Sequence, residues 1–171
     1  MPKVAIPIQE LLEAALERWE QRTTTEAVRA LDAGGDPRRR LELILTAAAQ
    51  PPRSRSLYAA LAEAAEDPVV RAVLNRVAST RIAYLESCYR GLGLPAAEAR
   101  SRAVFAYASY RGLLQLAHEA PEALPADWTV YPDVMRSALM PPEGRQRRTR
   151  TGGAPRQSAR GGKARGGRAK R

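Results

Sequence analysis

Apolar residues recur at three- and four-residue spacings along most of the chain, which is the period of an amphipathic α-helix. From Gln9 to Leu31 this spacing predicts a first helix, which Gly34 and Gly35 end. The same period, bounded by proline and glycine, predicts five further helices. They carry Leu41 to Ala48, Leu57 to Ala65, Val70 to Cys88, Ala99 to Ala117, and Tyr131 to Leu139.

Two of the predicted helices begin with the same pair of residues. Asp36-Pro37 and Asp67-Pro68 each supply an N-cap carboxylate followed by a first-turn proline. Ser54 or Ser56 can cap the third helix. Since no useful length of chain alternates as a strand does, the sequence predicts an all-α fold, an antiparallel bundle of about six helices.

The fifth predicted helix differs from the others because its C-terminal half is apolar on more than one face. A helix that is apolar nearly all round must be covered on more than one side. We therefore expect this helix to lie between its own core and a second surface. Its apolar residues include Ala103, Phe105, Ala106, Tyr107, Tyr110, Leu113, Leu114 and Ala117.

The net charge of +10 is concentrated at the C-terminal end of the chain. Of the 28 basic residues, 11 follow Glu143, where no acidic residue occurs, which leaves 17 basic residues against all 18 acidic ones. This end has no apolar cluster able to offset chain entropy, so we expect it to be disordered. The predicted division is a short N-terminal segment (1–8), a folded domain (9–140) and a basic tail (141–171).

The tail contains two Arg-Gly-Gly segments, which begin at Arg160 and Arg165 and resemble those that bind single-stranded nucleic acid. Because no aromatic residue lies between them, the expected contact is weak, independent of sequence and sensitive to salt. A solvated tail without a partner is the open alternative. The candidate phosphate-binding residues are Arg147, Arg148, Arg150, Arg160, Arg165 and Arg168.

Cysteine content and hydropathy bear on location. Cys88 is the only cysteine, which excludes an intrachain disulfide and suits a reducing compartment. The apolar stretch from Val4 to Ile8 is too short for a signal peptide, and no run approaches the length of a membrane span. We therefore expect a cytoplasmic protein with no membrane association.

The residue types needed for catalysis are sparse. His118 is the only histidine, and its place in the last turn of the fifth helix is explained by the helix dipole. The glutamates lack the Glu-x-x-His pairing of a helical di-metal site, and no glycine-rich loop follows a strand. We expect neither an enzyme, nor a metal site, nor a cofactor.

A group of large or polar residues is predicted to face inward, and it forms a candidate pocket for a small molecule. The alternative is that the aromatic residues are ordinary core and that the arginine side chains extend to solvent. The candidate pocket residues are Trp19, Arg81, Tyr84, Tyr107 and Arg111.

Several segments taken together resemble a known family. They are Leu11–Glu20, the turn Gly35–Arg38, the helix start Asp67–Val70, and the end of the fifth helix, Tyr110–Ala117, with Pro121-Glu122 after it. Their order and spacing resemble the C-terminal effector-binding and dimerisation domain of TetR/AcrR transcriptional regulators. The resemblance spans about Gln9 to Met140.

The resemblance implies an Ω-shaped homodimer in which the fifth and sixth helices of two copies form a four-helix bundle. It also implies a cavity for a small-molecule effector, of unknown identity, among the first five helices. The dimer interface that we predict on this basis consists of Tyr110, Leu113, Leu114, Ala117, Tyr131, Val134 and Met135.

The chain departs from the family pattern at its N-terminus. Only residues 1–8 precede the first predicted helix, and a helix-turn-helix needs two helices and a turn. A late start, a truncated gene and a regulator without an operator-reading region are the open explanations. The alternative function is a helical dimer that presents its basic tails for nonspecific nucleic-acid association.

Overall fold

A computed structural model describes residues 7–51 and 57–142, and within these ranges every regular element is helical. The all-helical prediction is therefore confirmed for this part of the chain. The caps predicted at Ser54 or Ser56, and the tail from Glu143 onward, lie outside it. The helices are α1 (Ile8–Glu20), α2 (Glu26–Asp32), α3 (Pro37–Ala48), α4 (Leu57–Glu63), α5 (Pro68–Gly91), α6 (Ala96–Glu119) and α7 (Tyr131–Leu139).

Both aspartate-proline pairs start helices as predicted. The Asp36 carboxylate accepts a hydrogen bond from the backbone N–H of Arg39 at 3.0 Å and caps α3. Asp67 accepts from Val69 at 2.8 Å and from Val70 at 3.3 Å and caps α5. Each carboxylate thus satisfies backbone donors that the first turn leaves without intrahelical partners.

The predicted first helix is interrupted in its middle. A π-helical turn, Gln21–Thr25, joins α1 to α2 and inserts an extra residue into the helical repeat. This shift turns Thr24 inward, where only 2% of the residue is exposed. A polar side chain therefore enters the interior at a position that a regular helix would not place there.

The hairpin of α5 and α6 organises the core. The two helices are antiparallel and joined by a tight turn in which Gly93 has a φ of 86°, a conformation favourable for glycine. The first core packs the C-terminal half of α5 and the N-terminal half of α6 against α3 and α7. The second core packs the opposite ends of both helices against α1 and α4.

Two polar contacts hold the C-terminal segment on the first core. The hydroxyl of Tyr89, which is fully buried, donates to the carbonyl of Leu139 at 3.0 Å. The indole N–H of Trp128 donates to the carbonyl of Ala49 at 2.6 Å, and its ring packs on Tyr131 with centroids 4.7 Å apart. These contacts fix α7 beside α3.

Helix length and composition also bear on membrane insertion. No helix in the two described ranges combines the length and the apolar character that crossing a bilayer requires.

We predict that Gly91→Ala destabilises the fold, because α3 and α5 approach closely at this residue. A Cβ atom on Gly91 would lie 2.5 Å from Cγ of Pro37, whose ring cannot rotate away. The overpacking costs about 1–3 kcal/mol, which outweighs the roughly 0.5–1 kcal/mol that alanine gains over glycine in a helix. Urea denaturation measures the difference.

The control is Arg90→Ala, at the exposed neighbouring position. It should change the unfolding free energy by only about 0.5 kcal/mol. A Gly91→Ala protein as stable as the wild type would contradict the close packing of α3 on α5.

Candidate ligand-binding site

A cavity of about 460 Å³ lies beside the middle of the α5–α6 hairpin, along the first core. Its volume falls in the range of roughly 300–1,000 Å³ that is usual for small-molecule sites. The walls come from the π-helical turn, from α2, α3, α5 and α6, and from one residue of α7. The apolar wall residues include Val28, Leu31, Leu43, Ile44, Leu45, Ala48, Leu85, Ala106 and Met135.

The polar groups of the cavity come from three elements. Arg81 and Tyr84 are on α5, Tyr107 and Tyr110 are on α6, and the π-helical turn adds Thr23 and Thr24. Several polar groups converging on an otherwise apolar space is the usual composition of a specific binding site.

Arg81 is held at the cavity wall by oxygen atoms of the π-helical turn. Its Nε donates to Oγ1 of Thr24 at 3.1 Å, and its Nη2 donates to the carbonyl of Thr23 at 2.9 Å. Among the described residues, no carboxylate lies within ion-pair distance of this guanidinium. The side chain is therefore a half-buried positive charge that hydroxyl and carbonyl dipoles position without neutralising it.

Tyr84 is oriented by an acidic residue at the edge of the site. Its hydroxyl donates to Oδ1 of Asp32 at 3.0 Å, and the same oxygen pairs with Arg40 at 3.1 Å. Burial first, and then the bond to Asp32, raises the pKa of Tyr84 to about 12. Tyr84 therefore stays neutral at physiological pH, and Asp32 already has a cationic partner.

Tyr58 of α4 is the centre of a second polar group beside the cavity. Its hydroxyl shares a hydrogen bond of 2.6 Å with the hydroxyl of Tyr107 and accepts another from Nη1 of Arg111. The Arg111 guanidinium lies 4.0 Å from the centre of the Tyr58 ring, and the Trp19 ring packs 5.7 Å from it. We refer to Trp19, Tyr58, Tyr107 and Arg111 as the Tyr58 cluster.

The electrostatics of this cluster favour neutral tyrosine. Burial and the bond to Tyr107 raise the pKa of Tyr58, while the positive charges of Arg111 and Arg81 act in the opposite direction and do not cancel that effect. The cluster therefore carries the positive charge of Arg111 and no phenolate to balance it.

The structure brings together only part of the predicted pocket. Arg81, Tyr84 and Tyr107 line the cavity. Trp19 and Arg111 do not line it and belong to the Tyr58 cluster instead, because Tyr58 lies between them.

Tyr58, Thr23 and Thr24 were not predicted as site residues. Tyr58 lies within the predicted helix from Leu57 to Ala65, where nothing in the apolar period marks it as polar in function. The π-helical turn coincides with three consecutive threonines, Thr23–Thr25.

The predicted interface residues lie mostly inside the protomer. Leu113, Leu114, Ala117 and Met135 are at most 8% exposed, because these side chains pack inward on their helices. They are therefore not available to a partner in this structure, which corrects their assignment to the interface. Tyr110 and Tyr131 are half-buried against the core, and Val134 is exposed.

A different face of α6 is apolar and exposed. We call it the α6 outer face and define it by Val104, Phe105, Ala108, Gly112 and Leu116, whose spacing follows one side of the helix. Phe105 is 58% exposed, and nothing lies within 4 Å of a Cβ atom placed on Gly112. The predicted excess of apolar surface on this helix is present, on the side opposite the buried leucines.

The helix α7 has a similar exposed stripe. Three exposed apolar residues recur there at four-residue spacing. They are Val130, directly before the helix, and Val134 and Ala138 within it. Val134 is thus the one predicted interface residue that is fully available to a partner.

Burial and an ion pair describe the surroundings of the remaining candidate residues, Cys88 and His118. Cys88 is buried, and burial raises the pKa of its thiol, which disfavours the reactive thiolate. His118 pairs with Glu63 of α4 at 2.8 Å. Within the described residues, no group of three or more His, Cys, Asp or Glu side chains is arranged to hold a metal ion. The six tail arginines lie outside the described residues.

The chain matches no protein-family model, and it shows no significant similarity to a curated protein or to a solved structure. Its function is therefore inferred from the cavity and from the exposed faces.

We predict that Tyr58→Phe destabilises the protein by about 1–3 kcal/mol. The change keeps the ring contacts with Trp19 and Arg111, but it removes the hydroxyl that the buried Tyr107 and Arg111 both contact. Thermal and urea denaturation measure the loss.

Tyr84→Phe is the matched control. Its hydroxyl contacts the exposed carboxylate of Asp32, which water can solvate after the change. A loss of about 0.5 kcal/mol is expected there. Equal losses in the two variants would mean that the Tyr58 cluster has no special role in stability.

Proposed function

We propose that this protein is a regulatory domain of the TetR type that binds a small-molecule effector and forms a homodimer. The cavity beside the α5–α6 hairpin is the observation that carries the proposal. The order of the helices, the caps at Asp36 and Asp67, and the sequence resemblance are consistent with it.

The size and position of the cavity support effector binding. Protein interiors are close-packed, and voids larger than a water molecule are few and destabilising. A space of about 460 Å³ beside the central hairpin is much larger than such a void, and it is partly open to solvent. Its wall includes exposed residues of α2 and α3, such as Ala27, Ala30 and Ala47, so that a ligand can enter from solvent.

The distribution of side-chain size on α6 supports dimerisation. The inner side of its N-terminal half carries alanine, at Ala99, Ala103 and Ala106, while Phe105 and Leu116 are exposed. Exposed apolar side chains that share one helix face are typical of an interaction surface. A two-fold axis would pair this face with its own copy, as in most homodimers.

We predict that the cavity binds the neutral fluorescent probe N-phenyl-1-naphthylamine with one site per protomer. The bound probe should gain fluorescence, because the wall is mostly apolar. Ala48→Phe should weaken this binding at least about tenfold, because the added ring fills the cavity from α3. Fluorescence titration of both proteins measures the effect.

The control is Ala83→Phe, on an exposed position of α5 that does not line the cavity. It should leave the affinity for the probe unchanged. If the wild type does not bind the probe, or if both variants bind it like the wild type, the cavity is not a ligand site.

We predict that the protein is a dimer at micromolar concentration and that Leu116→Asp shifts it to a monomer. The aspartate would place an unpaired charge in the apolar contact between two α6 outer faces. Sedimentation velocity measures the masses.

Leu11→Asp on α1 is the matched control, since Leu11 is 61% exposed and Leu116 is 46% exposed. The control should remain dimeric. A monomeric wild type, or a Leu116→Asp protein that stays dimeric, would exclude the α6 outer face as the interface.

A further inference from the structure

We infer that the ligand of the cavity is an aliphatic monocarboxylate whose carboxylate pairs with Arg81. This inference rests on the proposed ligand-binding function and adds the chemical class of the ligand. It is based on the charge of the wall, on the hydrogen bonds around Arg81 and on the shape of the apolar part.

The charge of the cavity wall is the first observation. Of the residues that line the cavity, Arg81 alone carries a charge at neutral pH. The nearby carboxylate of Asp32 is already paired with Arg40 and accepts from Tyr84. A neutral ligand would cover the guanidinium without pairing it, which is unfavourable, whereas an anionic group would complete the site.

The hydrogen bonds of Arg81 are the second observation. Nε and Nη2 are used by Thr24 and Thr23, and these bonds hold the guanidinium plane in place. Nη1 makes no hydrogen bond within the described residues. It is therefore the donor left for a ligand, and a charge-assisted bond from a preoriented arginine is strong.

A second donor is available on the facing helix. Tyr110 lines the cavity, and its hydroxyl makes no hydrogen bond among the described residues. A carboxylate has two oxygen atoms and can accept from more than one donor. The combination of one guanidinium and one phenol therefore suits a carboxylate.

The single positive charge also sets the charge of the ligand. One guanidinium balances one negative charge, whereas a phosphate dianion would leave a second charge beside apolar residues. The rest of the wall is largely aliphatic and includes Leu31, Leu43, Ile44 and Met135. An alkyl chain can follow this surface, so that the carboxylate and the chain are both accommodated.

The test uses displacement of N-phenyl-1-naphthylamine from the full chain by three ligands of equal chain length. They are dodecanoate and dodecyl phosphate, each below its micelle concentration, and 1-dodecanol, below its solubility limit. We expect dodecanoate to bind at least about tenfold more tightly than the alcohol, the effect of one charge-assisted hydrogen bond. It should also bind more tightly than the phosphate.

Arg81→Met should abolish the preference for the acid over the alcohol while the probe still binds. Arg76→Met is the matched control, because Arg76 lies on the same helix, is solvent-exposed and pairs with Glu20. This control should keep the preference. The two variants separate the role of Arg81 from the general loss of a positive charge on α5.

The outcomes distinguish the inference from the proposed function. Suppose that the probe binds, but that the alcohol or the phosphate binds as tightly as dodecanoate. The carboxylate inference is then overturned, and it is equally overturned if Arg81→Met still prefers the acid to the alcohol. In both cases the cavity remains a ligand site. If the probe does not bind, the proposed function fails. Calorimetric titration of dodecanoate into the wild type and into Arg81→Met, which needs no displacement, then tests the pairing with Arg81, and no binding to the wild type or equal affinity of the two proteins overturns it.

Discussion

The antiparallel packing of α5 on α6 is the constraint on which the rest of the structure depends. Each helix has 24 residues, and each contributes one half to the first core and the other half to the second. Near their middle these two helices turn Arg81, Tyr84, Tyr107 and Tyr110 toward the cavity, beside Leu85 and Ala106. The wall that α5 and α6 form is therefore partly polar, whereas the wall that α2 and α3 form is apolar.

The π-helical turn positions the charge of the partly polar wall, which Arg81 of α5 supplies. The inserted residue places Thr24 in the interior, and Thr24 together with the carbonyl of Thr23 holds the Arg81 guanidinium. A carboxylate in place of the Thr24 hydroxyl and the Thr23 carbonyl would neutralise Arg81 and remove its capacity to bind an anion. The π-helical turn thus holds an arginine that has no carboxylate partner among the described residues. Such turns frequently occur at functional sites.

The sequence predicted the helices well because their signals are local. The caps at Asp36 and Asp67 and the predicted bounds of α7 agree with the structure. The π-helical turn was missed, since the apolar period on either side of it looks continuous. The sequence also gave no means of finding Tyr58, because its hydrogen bonds reach residues 49 and 53 positions away, on α6.

The predicted dimer interface on α6 could not be placed correctly from the sequence, for a different reason. When a helix is apolar on two faces, the period alone cannot show which face turns inward. On α6 the choice follows from close packing: Ala99 and Ala103 are fully buried, so α6 can lie close to its neighbours there, while Phe105 is left outside. A protein that functions as a monomer would gain stability by the reverse arrangement, with the large ring buried and alanine in water. The proposed dimer accounts for the observed arrangement, because a second molecule would cover the outer face and bury the ring on association.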